Sequence, residues 1–71
     1  MTNSLWRLDA DYLAAYTEDT GIMARIRRYY PDVEPTAQYY RNGKRIAVQY
    51  RVPNGRKRSM RRILGVDVAR E

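Results

Sequence analysis

The side chains of this 71-residue chain that are best suited to chemistry are its arginines and lysines, and they are concentrated in the second half. Residues 25–64 hold twelve cations against two carboxylates, a net charge of +10. Residues 1–24 hold one cation against four carboxylates, a net charge of −3. Most of the basic residues are arginine, which forms bidentate contacts to phosphate and stacks on bases. Because such a field attracts polyanions, the sequence predicts binding to DNA or RNA.

Two groups of side chains support this hypothesis. Cations near a helix start oppose the helix dipole and repel one another, so the run from Arg56 to Arg62 is unfavourable for helix stability. The same cations are suited to binding a phosphate backbone. A predicted hairpin would add arginine and glutamine, which read base edges, and tyrosine, which stacks on unpaired bases. In the competing interpretation both groups are solvated surface. The candidate nucleic-acid-binding residues are Arg25, Arg28, Tyr40, Lys44, Arg45, Gln49, Arg51, Arg56, Lys57, Arg58, Arg61 and Arg62.

Catalysis is not expected from this composition. The chain has no histidine and no cysteine, so it lacks the commonest general base at neutral pH and the commonest zinc ligands. It has no P-loop and no dinucleotide-binding fingerprint. We predict no enzyme activity, no catalytic residue, no metal site and no cofactor. Four acidic residues near the N-terminus could in principle hold a divalent ion for a nuclease: Asp9, Asp11, Glu18 and Asp19. Nothing in their spacing requires an ion, and Asp9 and Asp11 are interpreted as capping a helix start.

The length predicts one small domain, residues 1–71, with residues 66–71 as a frayed tail. A domain of this size has a thin core, so homodimerisation is a further expectation. No apolar run is long enough to cross a bilayer and no signal peptide is evident, so we expect a cytoplasmic protein with no membrane partner.

The N-terminal part is predicted to be helical. Acidic residues and helically spaced apolar residues favour a helix over about residues 9–17, or from Ser4. Gly21 would end it, and Asp19 or Thr20 would cap a second helix over residues 22–30, ended by Pro31. The alternative is one unbroken helix through Gly21.

Asn42-Gly43 is the strongest local signal, because this dipeptide favours a type I′ turn in a two-residue β-hairpin. Pairing Arg41 with Lys44 puts Tyr39 opposite Ile46. The register predicts an apolar face of Ala37, Tyr39, Ile46, Val48, Tyr50 and Val52. It predicts a polar face of Gln38, Tyr40, Arg45, Ala47, Gln49 and Arg51.

After a turn at residues 53–55, a short basic helix is predicted, with Ser59 as N-cap and Gly65 after its end. A third strand starting near Arg56 is the alternative. The expected fold is α+β: one or two short N-terminal helices packed on a β-hairpin or three-stranded antiparallel sheet, with a short basic C-terminal element.

The order of a helix, a strand pair and a basic element resembles that of a double-stranded-RNA-binding domain, and small toxin ribonucleases of that fold are similar in layout. The resemblance covers Val52-Pro53-Asn54-Gly55 through Leu64. The chain lacks the catalytic histidine of those toxins and a clear third strand, so we assign no family. The predicted function is non-enzymatic nucleic-acid binding. The alternative is a protein-binding module, such as a phage-type inhibitor docking on an acidic protein surface or in the nucleic-acid groove of an enzyme.

Overall fold

A computed structural model describes residues 3–69, which form a four-stranded antiparallel sheet with two helices. The elements are β1 (Asn3–Arg7), β2 (Tyr12–Thr17), α1 (Thr20–Tyr29), β3 (Glu34–Arg41), β4 (Lys44–Pro53) and α2 (Lys57–Leu64). The strands lie in the order β1-β2-β4-β3. The α+β class is confirmed, but the sheet has four strands and a single helix precedes the β3–β4 hairpin. In the described residues two strands therefore precede α1, which differs from the helix, strand pair and basic element of a double-stranded-RNA-binding domain.

The N-terminal segment is a β-hairpin, so the helix predicted over residues 9–17 is wrong. Asp9 closes the turn, because its Oδ1 accepts the N–H groups of Asp11 at 2.8 Å and of Tyr12 at 2.9 Å. β2 also pairs along its other edge with β4, which is distant in sequence and completes its backbone hydrogen bonds. This pairing outweighs the helical spacing of the apolar residues, and the strand buries alternate positions toward the helices. Those positions are Leu13, Ala15 and Thr17.

The helix predicted over residues 22–30 is confirmed as α1. The Asp19 side chain caps it by accepting the N–H groups of Gly21 at 2.8 Å and of Ile22 at 3.2 Å. Gly21 therefore lies inside the first turn of α1, and the predictions that it ends a helix or lies within one long helix are wrong. The chain leaves the helix at Tyr30, before Pro31.

The hairpin turn is confirmed, but its register departs from the prediction after two pairs. Asn42 and Gly43 have φ values of 52° and 78°, as a type I′ turn requires. Arg41 pairs with Lys44 and Tyr40 with Arg45, but Tyr39 then pairs with Ala47. Ile46 is thus the extra residue of a β-bulge. A bulge re-aims the side chains that follow it, so the two predicted faces are partly exchanged.

The exchange moves residues in both directions. Val48, Tyr50 and Val52 are buried toward the helices, as predicted. Tyr39 and Ile46, expected in the core, are 43% and 40% exposed. Two residues placed on the polar face, Gln38 and Arg45, lie instead on the helix side beside Val48. Ala47 stays on the face of Gln49 and Arg51, as predicted, but it is fully buried there.

The segment after β4 is a helix, so the alternative of a third strand near Arg56 is wrong. A 3₁₀ turn (Asn54–Arg56) leads into α2, and Arg56 occupies the N-cap position without a side-chain cap. Ser59 is therefore not the N-cap. Gly65 ends α2 in the left-handed conformation at φ 69°, as predicted.

One core lies between the sheet and the helices. It combines alternate residues of β1, β2 and β4 with Ile22, Met23 and Ile26 of α1 and Met60 and Leu64 of α2. Residues 66–69, within the predicted frayed tail, run beside β1, where the Ala69 N–H donates to the Leu5 carbonyl at 2.7 Å. Residues 70 and 71 lie outside the described range. Within residues 3–69, no helix is both long and apolar enough to span a bilayer.

Candidate nucleic-acid interface

Helix α2 presents a row of cations to solvent. Burial of Met60 and Leu64 against the sheet turns the opposite side of the helix outward. Arg58, Arg61 and Arg62 are exposed there, three and four residues apart, and Lys57 is half-exposed at the start. Like charges at these spacings repel, and cations in a first turn oppose the helix dipole. No acidic residue lies in that turn, so helix stability does not explain Lys57 and Arg58. Arg61 and Arg62 lie in the last turn, where the dipole favours cations.

Helix α1 carries the second group of cations on the same side of the sheet. Arg25, Arg27 and Arg28 are exposed. A groove of about 180 Å³ between the helices is lined by Arg25 and Tyr29 from α1 and by Arg62 from α2. The two helices thus present a common positive surface. We call it the basic helix layer and define it as Arg25, Arg27, Arg28, Lys57, Arg58, Arg61 and Arg62.

Carboxylates neutralise only part of the charge. Arg56 pairs with Asp32 at 3.0 Å, and its guanidinium lies over the ring of Tyr30 at 5.5 Å. Arg61 pairs with Asp67. Among residues 3–69, the other six cations of the basic helix layer make no ion pair. These six cations are therefore available to pair with an anionic ligand.

Two of the predicted site residues lie on the other side of the sheet. Gln49 and Arg51 alternate with buried Val48, Tyr50 and Val52, so they point away from the helices. Arg51 pairs with Glu34 at 3.2 Å and lies over the Tyr12 ring at 4.8 Å. The structure therefore separates the sheet part of the predicted site from the cluster on α2. The predicted single surface, with the hairpin's polar face beside the Arg56–Arg62 run, is divided in two.

This open sheet face is aromatic. Tyr16 and Tyr39 pack with ring centroids 6.1 Å apart at an interplanar angle of 58°. The Tyr16 hydroxyl donates to Glu18 at 3.2 Å. Trp6 lies opposite Ala14 in the β1–β2 pairing, and Ala14 is fully buried beneath its neighbours.

The remaining hairpin candidates lie at the end of the β3–β4 ribbon. Lys44 follows the turn and is exposed. The bulge places Arg45 on the helix side, where its Nη1 donates to the Gln38 Oε1 at 3.4 Å. The Tyr40 hydroxyl donates to the same oxygen at 3.1 Å. Arg45 and Arg27 of α1 line a second groove.

Sequence reasoning missed two residues of this surface and placed a third on the wrong side of the sheet. Arg27 has the same charge as its predicted neighbours, and its position four residues after buried Met23 could have placed it beside the sheet. Tyr29 lies next to the Arg28 guanidinium, which is 5.5 Å from its ring centroid. Gln38 was assigned to the polar face, and only the bulge brings it toward α1.

Three of the four N-terminal carboxylates accept hydrogen bonds from nearby residues. Asp9 closes a turn, Asp19 caps α1, and Glu18 accepts from Tyr16. In the part of the chain that the structure describes, no three acidic, histidine or cysteine side chains are grouped as a metal site.

Comparisons with known proteins give no match: none among family models, none among curated proteins and none among solved structures.

Proposed function

We propose that this protein is a non-enzymatic nucleic-acid-binding protein whose basic helix layer lies against the phosphate backbone of DNA or RNA. The observation that carries the proposal is the row of cations on α2. Lys57 and Arg58 oppose the dipole of their own helix in its first turn, which holds no acid, and Arg58 repels Arg61 and Arg62. A polyanion would supply the missing negative charge, because guanidinium groups bind phosphate through paired hydrogen bonds.

Different parts of the surface have different proposed roles. Lys57, Arg58, Arg61 and Arg62 contact phosphates, and the cations of α1 extend the contact across the groove between the helices. Lys44 and Arg45 lengthen the surface toward the hairpin. Tyr40, Gln49, Arg51 and Arg56 contribute less, because they bond within the chain or face the opposite side.

Salt dependence tests the proposal directly. Each phosphate contact contributes about −0.9 to the log–log slope of affinity against salt on B-DNA, so four to six contacts predict a slope of about −4 to −5. The measurement is fluorescence anisotropy of a labelled 20-base-pair duplex titrated with protein between 50 and 200 mM KCl. Absence of binding to duplex and to single strands at 50 mM KCl would refute the proposal.

Two matched variants locate the interface. The double variant Arg58→Gln and Arg62→Gln removes two charges from the basic helix layer, and we expect the slope to weaken by about two. Arg51→Gln removes a charge from the open sheet face, where its ion pair is exposed and adds little stability. Its slope should match the parent. A slope change in Arg51→Gln of half that in the double variant, which removes twice the charge, would show that only net charge matters.

An acidic protein is the second candidate partner. The chain already pairs guanidinium with carboxylate at Arg56 and Asp32, so the unpaired arginines suit such a surface, as in an inhibitor that occupies a nucleic-acid groove. An acidic protein partner would be favoured if a second protein copurifies in stoichiometric amount. The sample should then show no excess absorbance at 260 nm from nucleic acid before a high-salt wash. Light scattering of the same sample tests homodimerisation against the 8.4 kDa monomer mass.

A further inference from the structure

The second groove lies between α1 and the β3–β4 hairpin and has a volume of about 420 Å³. Its floor is apolar and aromatic, with Met23, Val48 and Tyr50 buried beneath it. Arg27 and Arg45 are among the residues that line it. Ligand pockets in proteins commonly have volumes of about 300–1,000 Å³ and combine such a floor with a few polar groups.

The groove exists because the helices do not cover the whole sheet. Helix α1 packs on β2 and β4, and β3 lies beyond β4 at the edge of the sheet. Most of β3 is exposed. The bulge at Ile46 turns Arg45 toward this uncovered strip. In a hairpin without the bulge, Arg45 would point to the opposite side of the sheet from Val48.

The charge of the groove is positive. No carboxylate lines it, and neither Arg27 nor Arg45 makes an ion pair within residues 3–69. The Gln38 Oε1 already accepts two hydrogen bonds. Its amide nitrogen donates none in the described range, so it is available to an acceptor on a ligand. The ligand should therefore be an anion with a flat apolar body.

We propose that this groove receives one unpaired base of a single-stranded nucleic acid, with the adjacent phosphates held between Arg27 and Arg45. The inference deepens the nucleic-acid-binding function proposed above and depends on it. Arg27 belongs to the basic helix layer, so a strand that follows that layer reaches the groove without a gap in positive charge. Aromatic side chains stack on bases of any sequence, and the groove supplies Tyr30 and Tyr50.

An abasic strand separates base recognition from phosphate recognition. A labelled decathymidylate and an abasic decamer carry the same phosphates, but only the first carries bases. At 100 mM KCl we expect anisotropy titrations to show about tenfold tighter binding of the decathymidylate, the order of one stacked base. Both strands should show similar salt slopes.

Two sets of variants test the position. Gln38→Trp fills the groove without changing charge and should remove the tenfold preference while leaving the salt slope intact. Thr36→Trp is its control, because it adds the same side chain to β3 at an exposed residue outside the groove lining. Arg45→Gln should weaken decathymidylate binding severalfold more than Lys44→Gln, which removes the neighbouring charge from the turn.

The outcomes separate the two proposals. Equal affinity for the two decamers with a steep salt slope would overturn the groove assignment and leave backbone binding intact. A preference unchanged in both Gln38→Trp and Arg45→Gln would also overturn it. If neither decamer and no duplex binds at 50 mM KCl, both proposals are overturned. Far-UV circular dichroism of each variant establishes that it is folded, and the exposed Arg45 site serves if Gln38→Trp does not fold.

Discussion

Reversing the charge of Arg58 should make the protein more stable and a weaker nucleic-acid ligand. Arg58 is the second residue of α2, is exposed, and precedes Arg61 and Arg62 by three and four residues. Arg58→Glu would replace a cation near the positive end of the helix dipole by an anion. It would also turn two repulsive contacts into attractive ones.

The size of the gain follows from these two effects. A charge near an exposed helix end contributes about 0.3–1 kcal/mol, and each side-chain pair at this spacing contributes about 0.2–0.5 kcal/mol. Together they predict an increase in the free energy of unfolding of about 1–2 kcal/mol at low salt. The midpoint of thermal unfolding should rise by about 4–8 °C for each kcal/mol in a domain of this size.

The assay is urea unfolding followed by circular dichroism in 20 mM and 500 mM NaCl, with the duplex titration run in parallel. The stability gain should shrink at high salt, because exposed charges are then screened. The binding slope should weaken by about one or more. Lys44→Glu is the comparison, since it makes the same charge change away from a helix end. It replaces one like-charge cross-strand pair with Arg41 by an attractive one, so it should raise stability by only about 0.2–1 kcal/mol. A loss of stability in Arg58→Glu would refute the argument that α2 is electrostatically strained.

Two further predictions concern the scaffold. Asp19→Ala removes the cap of α1 and should lower the free energy of unfolding by about 1 kcal/mol in urea titrations; Asp11→Ala, an exposed turn residue, should change it by less than about half as much, and equal losses would contradict the capping role. Burial raises the pKa of Tyr50 above its usual 10.0, opposed by Arg45. The unfolded chain therefore ionises first, and stability that is present below pH 10 is lost as the pH rises further. Tyr50→Phe should lose less stability between pH 9 and 11 than the parent, and parallel alkaline unfolding curves would contradict this linkage.

Local signals predicted the elements whose contacts are local. Asn42-Gly43 specified its turn because both residues tolerate positive φ. Asp19 and Pro31 bounded α1 because capping and the missing proline N–H act within one helical turn. The N-terminal hairpin was mispredicted as a helix because its strand β2 is completed by β4, and no local pattern reveals a partner so distant in sequence.

The candidate site was predicted in part for the same reason. The cations of α2 were found because burial of Met60 and Leu64 follows from helical spacing. The hairpin residues were assigned to wrong faces because a bulge of one residue, Ile46, inverts the alternation beyond it. Arg45 therefore belongs to a groove with Arg27, while Arg51 lies on the opposite side of the sheet.

By itself the sequence determined the charge of this protein, the segments that hold it, the start and end of α1, the end of α2 and one turn. These properties depend on residue type and on neighbours within about one turn of chain. The tertiary structure decided which cations share a surface. Both helices pack on the same side of the sheet, so α1 and α2 combine their arginines there, while the other side keeps Tyr16, Tyr39 and an internally paired Arg51. Strand pairing and burial between distant segments set that arrangement, and a linear count of charges contains neither.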